Sequence, residues 1–319
     1  MASHQEAVDV LKYWNVVPSG TLQQIHPERV YHVQTQNGED LLLKDLGTDY
    51  SEGRLALEFE VLQHLSTAQV PVAVPLLDKR GNPAVISGGH LFTLSPFLKP
   101  RGSAETVSWE ALCKTYGMAI GDLHIALASF PTEGLVRRTW RNDPIKESFE
   151  NRIPSLQQFL QGDQAAWFKR IVGEMESEMK RALADLPEQL IHRDCHPGNV
   201  LTDVVEVIGF IDCDHFSIGP RILDLAYFVI HLVKWEVHDP DKTVGWLHYF
   251  PLVIQGYEQR SLLSSREKSA LPYMIVYVLV MFADFFYHLE NEAAAKVELD
   301  ALAFIHSHLD DIKRRVLES

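Results

Sequence analysis

The segment His192-Arg193-Asp194-Cys195-His196-Pro197-Gly198-Asn199, followed after two short apolar runs by Phe210-Ile211-Asp212, constrains this chain more than any other stretch. An aspartate stands five residues before an asparagine, and a second aspartate closes an apolar strand shortly afterwards. Phosphoryl transfer from a nucleotide needs such groups. One carboxylate must orient the attacking hydroxyl and accept its proton, while an amide oxygen and another carboxylate must hold the magnesium that neutralises the phosphates. The spacing therefore assigns Asp194 as the base and Asn199 with Asp212 as metal ligands. The plain competing view is a polar loop in which Asp and Asn cap turns and Pro197-Gly198 makes one. Few such loops set Asp, Asn and Asp in this order between apolar strands, which favours the catalytic reading.

These residues resemble the aminoglycoside phosphotransferase and choline kinase family, homoserine kinase-like relatives included, a branch of the protein-kinase-like fold. Its pattern, His-x-Asp-x-x-x-x-Asn and then Ile-Asp, is matched by His192, Asp194, Asn199, Ile211 and Asp212. The resemblance implies an α+β, two-lobe fold: a small antiparallel-sheet lobe over residues 1–98, ending in a hinge, and a mainly helical lobe over 99–319. It further implies ATP, or alternatively GTP, bound with Mg2+ between the lobes, and transfer of the γ-phosphate to a hydroxyl of a small molecule. Aminoglycosides, homoserine, choline-like compounds and other alcohols all qualify as acceptors. In such proteins the histidine at position 192 packs behind the catalytic loop and the aspartate at 224 braces it, although Asp224 also reads as an ordinary helix cap.

The sheet is legible from alternation. Tyr31 and Val33 are answered by Leu41 and Leu43 across Asn37-Gly38, a pair suited to the positive dihedrals of a tight turn. Ala84-Val85-Ile86 and Leu91-Phe92-Thr93-Leu94 read as further strands of a five-stranded sheet. Lys44 ends a strand; by resemblance it grips the nucleotide phosphates, and taken alone it is a solvated edge charge. Leu55, Phe59, Leu62 and Leu65 recur with helical spacing, and the resemblance makes Glu58 on that helix the partner that positions Lys44. Ser95-Pro96-Phe97-Leu98 corresponds to the hinge, where main-chain groups of Ser95 and Phe97 would meet adenine. Ser19 to Gln24 holds a single glycine, so any phosphate loop there relies on main-chain N–H groups.

Beyond the hinge the pattern is helical. Leu112, Tyr116, Ala119, Leu123 and Leu127 form a stripe that carries His124 as a packed residue. The segment 130–154 lacks periodicity and reads as a connection, with helix resuming from Leu156. Leu271 to Ala283 falls short of the ~20 residues of a bilayer span and reads as a buried helix. Trp235, Trp246, Tyr249, Tyr257, Tyr277, Asp284 and Tyr287 read as core residues first and as an aromatic, acidic substrate wall second.

Charge and cysteine usage narrow the rest. With 29 Lys and Arg against 43 Asp and Glu, the net charge of −14 argues against general affinity for nucleic acid or anionic membrane. The opening residues lack a secretion signal, and three cysteines form no disulfide framework, which points to the cytoplasm. Cys195-His196 and Cys213-Asp214-His215 suggest a rival zinc site or thiol nucleophile, but neither uses Lys44, Asp194, Asn199 and Asp212 together. A nucleotide-binding regulatory protein of the same fold and a Ser/Thr protein kinase both stay open. The short run from Asp212 to Pro220 leaves little room for a peptide platform and favours a small acceptor.

Overall fold

Apolar residues at every second position build the first sheet. The computed structural model describes residues 4–26, 29–48, 50, 52–99, 108–131, 135 and 139–319. Contacts divide the chain into two compact units. One comprises Met1–Gly102 with Leu201–Asp203 and Ile208–Asp214, the other Ser103–Val200, Val204–Val207 and His215–Ser319.

In the first unit, helix α1 (His4–Val10) and a following 3-10 turn precede strands β1 (Gln23–His26), β2 (Val30–Gln34) and β3 (Asp40–Gly47). Helix α2 (Glu52–Thr67), β4 (Val85–Ser87) and β5 (His90–Pro96) complete it, and the sheet runs β1-β2-β3-β5-β4 with every pairing antiparallel. Val33 faces Leu41 and Tyr31 faces Leu43 across the β2–β3 hairpin, with Gly38 at φ 82° in its turn, as the alternation predicts. Those residues bury one sheet face against Ala7, Val10, Leu11 and Trp14. Because β3 alternates, Lys44 stands on the other face.

The first unit also takes in Ile208–Asp214. Phe210 N–H donates to Pro71 O at 2.8 Å, and Val72 pairs with Phe210 in parallel. Gly209 permits the close approach, since a Cβ there would stand 2.3 Å from Leu98 Cδ1.

The second unit begins with α3 (Trp109–Ala128), then α4 (Pro144–Lys146), a π-helical turn (Glu147–Arg152), α5 (Ile153–Phe159) and α6 (Gly162–Leu183). The sequence reading treats 130–154 as a connection; residues 132–134 and 136–138 lie outside the described part, but helix starts already at Pro144. Asp143 caps it by accepting from Lys146 N, and the π turn breaks the 3.6-residue period that would have revealed it. Next along the chain come β6 (Glu188–Ile191), β7 (Val200–Asp203), β8 (Glu206–Phe210) and β9 (Ser217–Pro220); β6 pairs with β9, and β7 pairs with β8, whose residues 201–203 and 208–210 count with the first unit.

The helices α7 (Ile222–His231), α8 (Pro240–Glu258), α9 (Ser265–His288), α10 (Glu292–Ser307) and α11 (Leu309–Glu318) finish the chain. Helix α9 has 24 residues and is long and apolar enough to cross a membrane by length and composition, which corrects the shorter span read from sequence. Most of that stretch is buried inside the unit, against α5, α6, α7, α10 and α11. Helices α3 and α8 meet backbone to backbone: a Cβ on Gly117 would lie 1.9 Å from Val253 O, and one on Gly256 2.1 Å from Lys114 O.

Candidate active site

In the second unit, β6 leads directly into the segment that carries Asp194 and Asn199. Arg193 sits in the left-handed region at φ 70°, a conformation that costs a side-chain-bearing residue on the order of 1–3 kcal/mol. Asp224 compensates. Fully buried in the first turn of α7, it accepts from His192 N at 2.8 Å and Arg193 N at 2.7 Å. It also receives His124 Nε2 at 3.0 Å, so the ring's Nδ1 accepts from Tyr257 Oη at 2.9 Å. The helix-cap reading of Asp224 is thereby corrected, because its oxygens serve the loop and α7 has no side-chain cap. The Arg193 guanidinium donates to Asn142 Oδ1 at 3.0 Å and lies over the Trp140 ring, while His192 packs edge-on against Phe216.

Asn199, in the short turn that opens β7, donates its Nδ2 to both Asp194 O (2.9 Å) and Asp194 Oδ2 (2.8 Å). These bonds commit the amide nitrogen, and Oδ1 is the atom of this side chain that could take a cation. Tyr227 also donates to Asp194, and burial first, then that carboxylate, pushes the phenol's pKa up. His231 stacks on His196 at 5.3 Å; burial pushes its pKa down to about 2, which keeps it neutral beside the loop. Tyr227 gave no signal in the sequence beyond an apolar helical position.

The other charged cluster belongs to the first unit. Lys44 Nζ donates to Asp212 Oδ1 at 3.1 Å and Asp214 Oδ2 at 3.3 Å. Burial opposes its charge, yet Asp214 and Asp212 outweigh that and hold its pKa above the ordinary lysine range. Asp212 is in the left-handed region at φ 50°. Glu58 does not pair with Lys44 here. It accepts from Arg54 Nε at 3.0 Å and from Tyr50 Oη, while Arg54 also reaches Asp214 O. The physical reason is reach: Arg54 lies one helical turn before Glu58, the favourable i,i+4 spacing, and two carboxylates already occupy Lys44. That spacing was the sequence signal for Arg54.

Burial pushes the Glu58 carboxyl up to about 7, above its ordinary 4.5. A raised carboxyl favours the folded state below pH 4.5 and loses that contribution as pH climbs to about 7. Thermal midpoints recorded across that window should therefore fall with rising pH in the wild type and flatten in Glu58→Gln. A wild-type curve with no slope, or the same slope in both proteins, contradicts the assignment.

Ser95 and Phe97 lie where β5 leaves the sheet, Ser95 opposite Leu42. Phe97 N–H donates to Asp40 O at 3.0 Å and its ring packs on His32, so continued strand pairing takes the donor expected to meet adenine. The aromatic wall does not assemble as one surface. Trp246 donates to Val229 O, Tyr257 bonds His124, Asp284 pairs with Arg152, and Tyr287 stacks on Phe159. Among the described residues no three His, Cys, Asp or Glu side chains gather as a zinc site would require.

The sequence matches the phosphotransferase enzyme family over residues 26–260, and the chain belongs to that family. It is 29% identical to a homoserine kinase of Neisseria meningitidis over 213 residues, and 28% identical to one of Gluconobacter oxydans over 221. These matches take in 67% and 66% of this chain but only 65% and 64% of the relatives, just under two thirds of their length. Among solved structures, a microcompartment-associated aminopropanol kinase superposes with a TM-score of 0.74 at 18% identity, covering 98% of this chain and 100% of its own. An amicoumacin kinase in complex with AMP-PNP and Ca2+ gives 0.72, also at 18%, over 97% and 94%. The fold is therefore protein-kinase-like, and the family is one of phosphotransferase enzymes.

Proposed function

We propose that this protein is an ATP-dependent kinase that transfers the γ-phosphate to an alcohol hydroxyl of a small molecule. The observation that carries the reading is the Asp194–Asn199 pair on a loop pinned by Asp224. Asp194 accepts the proton of the acceptor hydroxyl as its oxygen bonds to the γ-phosphorus, and the bond to the ADP oxygen breaks. Asn199 through Oδ1 and Asp212 through its carboxylate are the groups to hold Mg2+, which supplies neutralisation of the phosphate charge. Lys44, kept charged by its acidic neighbours, is the phosphate grip, and GTP is the alternative donor. Glu58 is the residue proposed to take Lys44 when phosphate and metal occupy Asp212.

The names of the similar proteins, homoserine kinase and aminopropanol kinase, support a short acceptor bearing both a hydroxyl and an amino group. A cytoplasmic enzyme acting on a soluble metabolite fits this reading. A coupled assay of ADP release over a panel of amino alcohols, hydroxy amino acids, choline-like compounds and aminoglycosides tests it, with ATP and GTP in parallel. We expect turnover with at least one short acceptor, lost on addition of EDTA and restored by excess magnesium. Nucleotide binding without turnover on any acceptor would favour a regulatory protein, and undiminished turnover in EDTA would remove the metal from the scheme.

A further inference from the structure

Close to Asp194 the second unit buries an ion pair that the phosphoryl-transfer scheme does not use. Lys234, in the turn after α7, is 3% exposed, and Glu298 of α10 is 1% exposed. Their single bond, Nζ to Oε1, is 2.7 Å. Lys234 Nζ also lies over two rings, Trp235 at 5.0 Å and Phe282 at 5.4 Å, and among the described residues Glu298 Oε2 has no partner. A buried structural ion pair holds its place by saturating its polar atoms, because desolvation of each charge outweighs one contact.

The same unit shows what saturation looks like. Arg221 donates to both oxygens of Glu267, to Ser261 and to Leu262 O, and Glu267 further receives Ser264 N and Oγ. Among the described residues, Lys234 and Glu298 have no such shell. They also adjoin the catalytic aspartate: Tyr227, bonded to Asp194, senses the Glu298 charge, and Lys234 senses Asp194. Tyr227 stacks on Phe282 at 4.9 Å, so one aromatic wall joins the pair to the base.

We propose that Lys234 and Glu298 are the charged end of the acceptor subsite, Lys234 taking a carboxylate and Glu298 an ammonium, so that the preferred acceptor is a zwitterionic hydroxy amino acid. This rests on the kinase reading above and specifies its substrate. A zwitterion gives each buried charge an opposite partner and adds no net charge to the site. An amino alcohol without a carboxylate leaves Lys234 unmet and sets a second cation beside it; a hydroxy acid without an amine does the same to Glu298.

Three acceptors of equal chain length decide the matter: a hydroxy amino acid, the amino alcohol lacking its carboxylate, and the hydroxy acid lacking its amine. In the wild type kcat/KM for the first should exceed the other two by about a hundredfold or more, the penalty for leaving a buried polar group unpaired. Lys234→Met should raise KM for the hydroxy amino acid and lower it for the amino alcohol, with kcat little altered for either. Glu298→Gln should do the converse, raising KM for the hydroxy amino acid and lowering it for the hydroxy acid. If either single variant fails to fold, Lys234→Met/Glu298→Met removes both charges and should erase the discrimination.

Equal wild-type kcat/KM for the amino acid and the amino alcohol, or variants that weaken all three acceptors by one factor, overturns the proposal while the kinase reading stands. If the wild type turns over no acceptor, the kinase reading fails instead. Calorimetry of the same three compounds then decides the subsite: selective binding of the zwitterion, lost in Lys234→Met, supports it, and no selectivity ends it.

Discussion

Asp194→Asn should lower kcat by about a thousandfold, within the range that general-base removal produces, while nucleotide affinity stays within a factor of two or so. The variant should fold. Asn199 donates to the main-chain oxygen of residue 194 as well as to its side chain, and an asparagine oxygen at 194 can still accept the second bond. The change therefore removes basicity while the two Asn199 bonds keep the loop its shape. Near-wild-type turnover in a pure preparation would take Asp194 out of the chemistry. A collapse of nucleotide affinity would instead mean that the residue acts on the donor.

The largest stability effect should come from Gly256→Ala. Its added methyl would meet the main chain of Lys114 at 2.1 Å, and no side-chain rotation relieves a backbone clash. Helices α3 and α8 must separate, at about 3 kcal/mol or more, well above the ~1 kcal/mol that alanine gains over glycine in a helix. Gly117→Ala, at 1.9 Å from Val253 O, should behave alike. Gly173→Ala is the control, because the site is exposed in α6 with nothing within 4 Å. Thermal denaturation should show the first two lowered by several degrees and the third unchanged or raised. A Gly256→Ala protein as stable as wild type would show that the helices do not cross this closely.

What could be read from the chain alone follows distance along it. Asp194 and Asn199 stand five apart, and their spacing already stated their relation. The β2–β3 hairpin, with a turn type and two alternating arms, was equally local. One misread element had a specific physical cause: a π turn disguised the helix beginning at Pro144. The arginine one turn from Glu58 was equally local, although the sequence reading passed over it. Lys234 and Glu298, 64 residues apart on a turn and a distant helix, left no pattern at all. Asp224 fell between: its place near a helix start was visible and the resemblance already implied a brace, but the bonds it makes to the loop 32 residues earlier belong to the fold.

The bonds behind the loop that carries Asp194 unite remote parts of the polypeptide, His124 with Asp224 across 100 residues and with Tyr257 across 133. Contacts of such separation are entropically late to close. A nascent chain ending before Tyr257 would carry Asp194, Asn199 and most of its helices yet lack the outermost tie. In refolding from denaturant, helical ellipticity should consequently recover ahead of enzymatic competence.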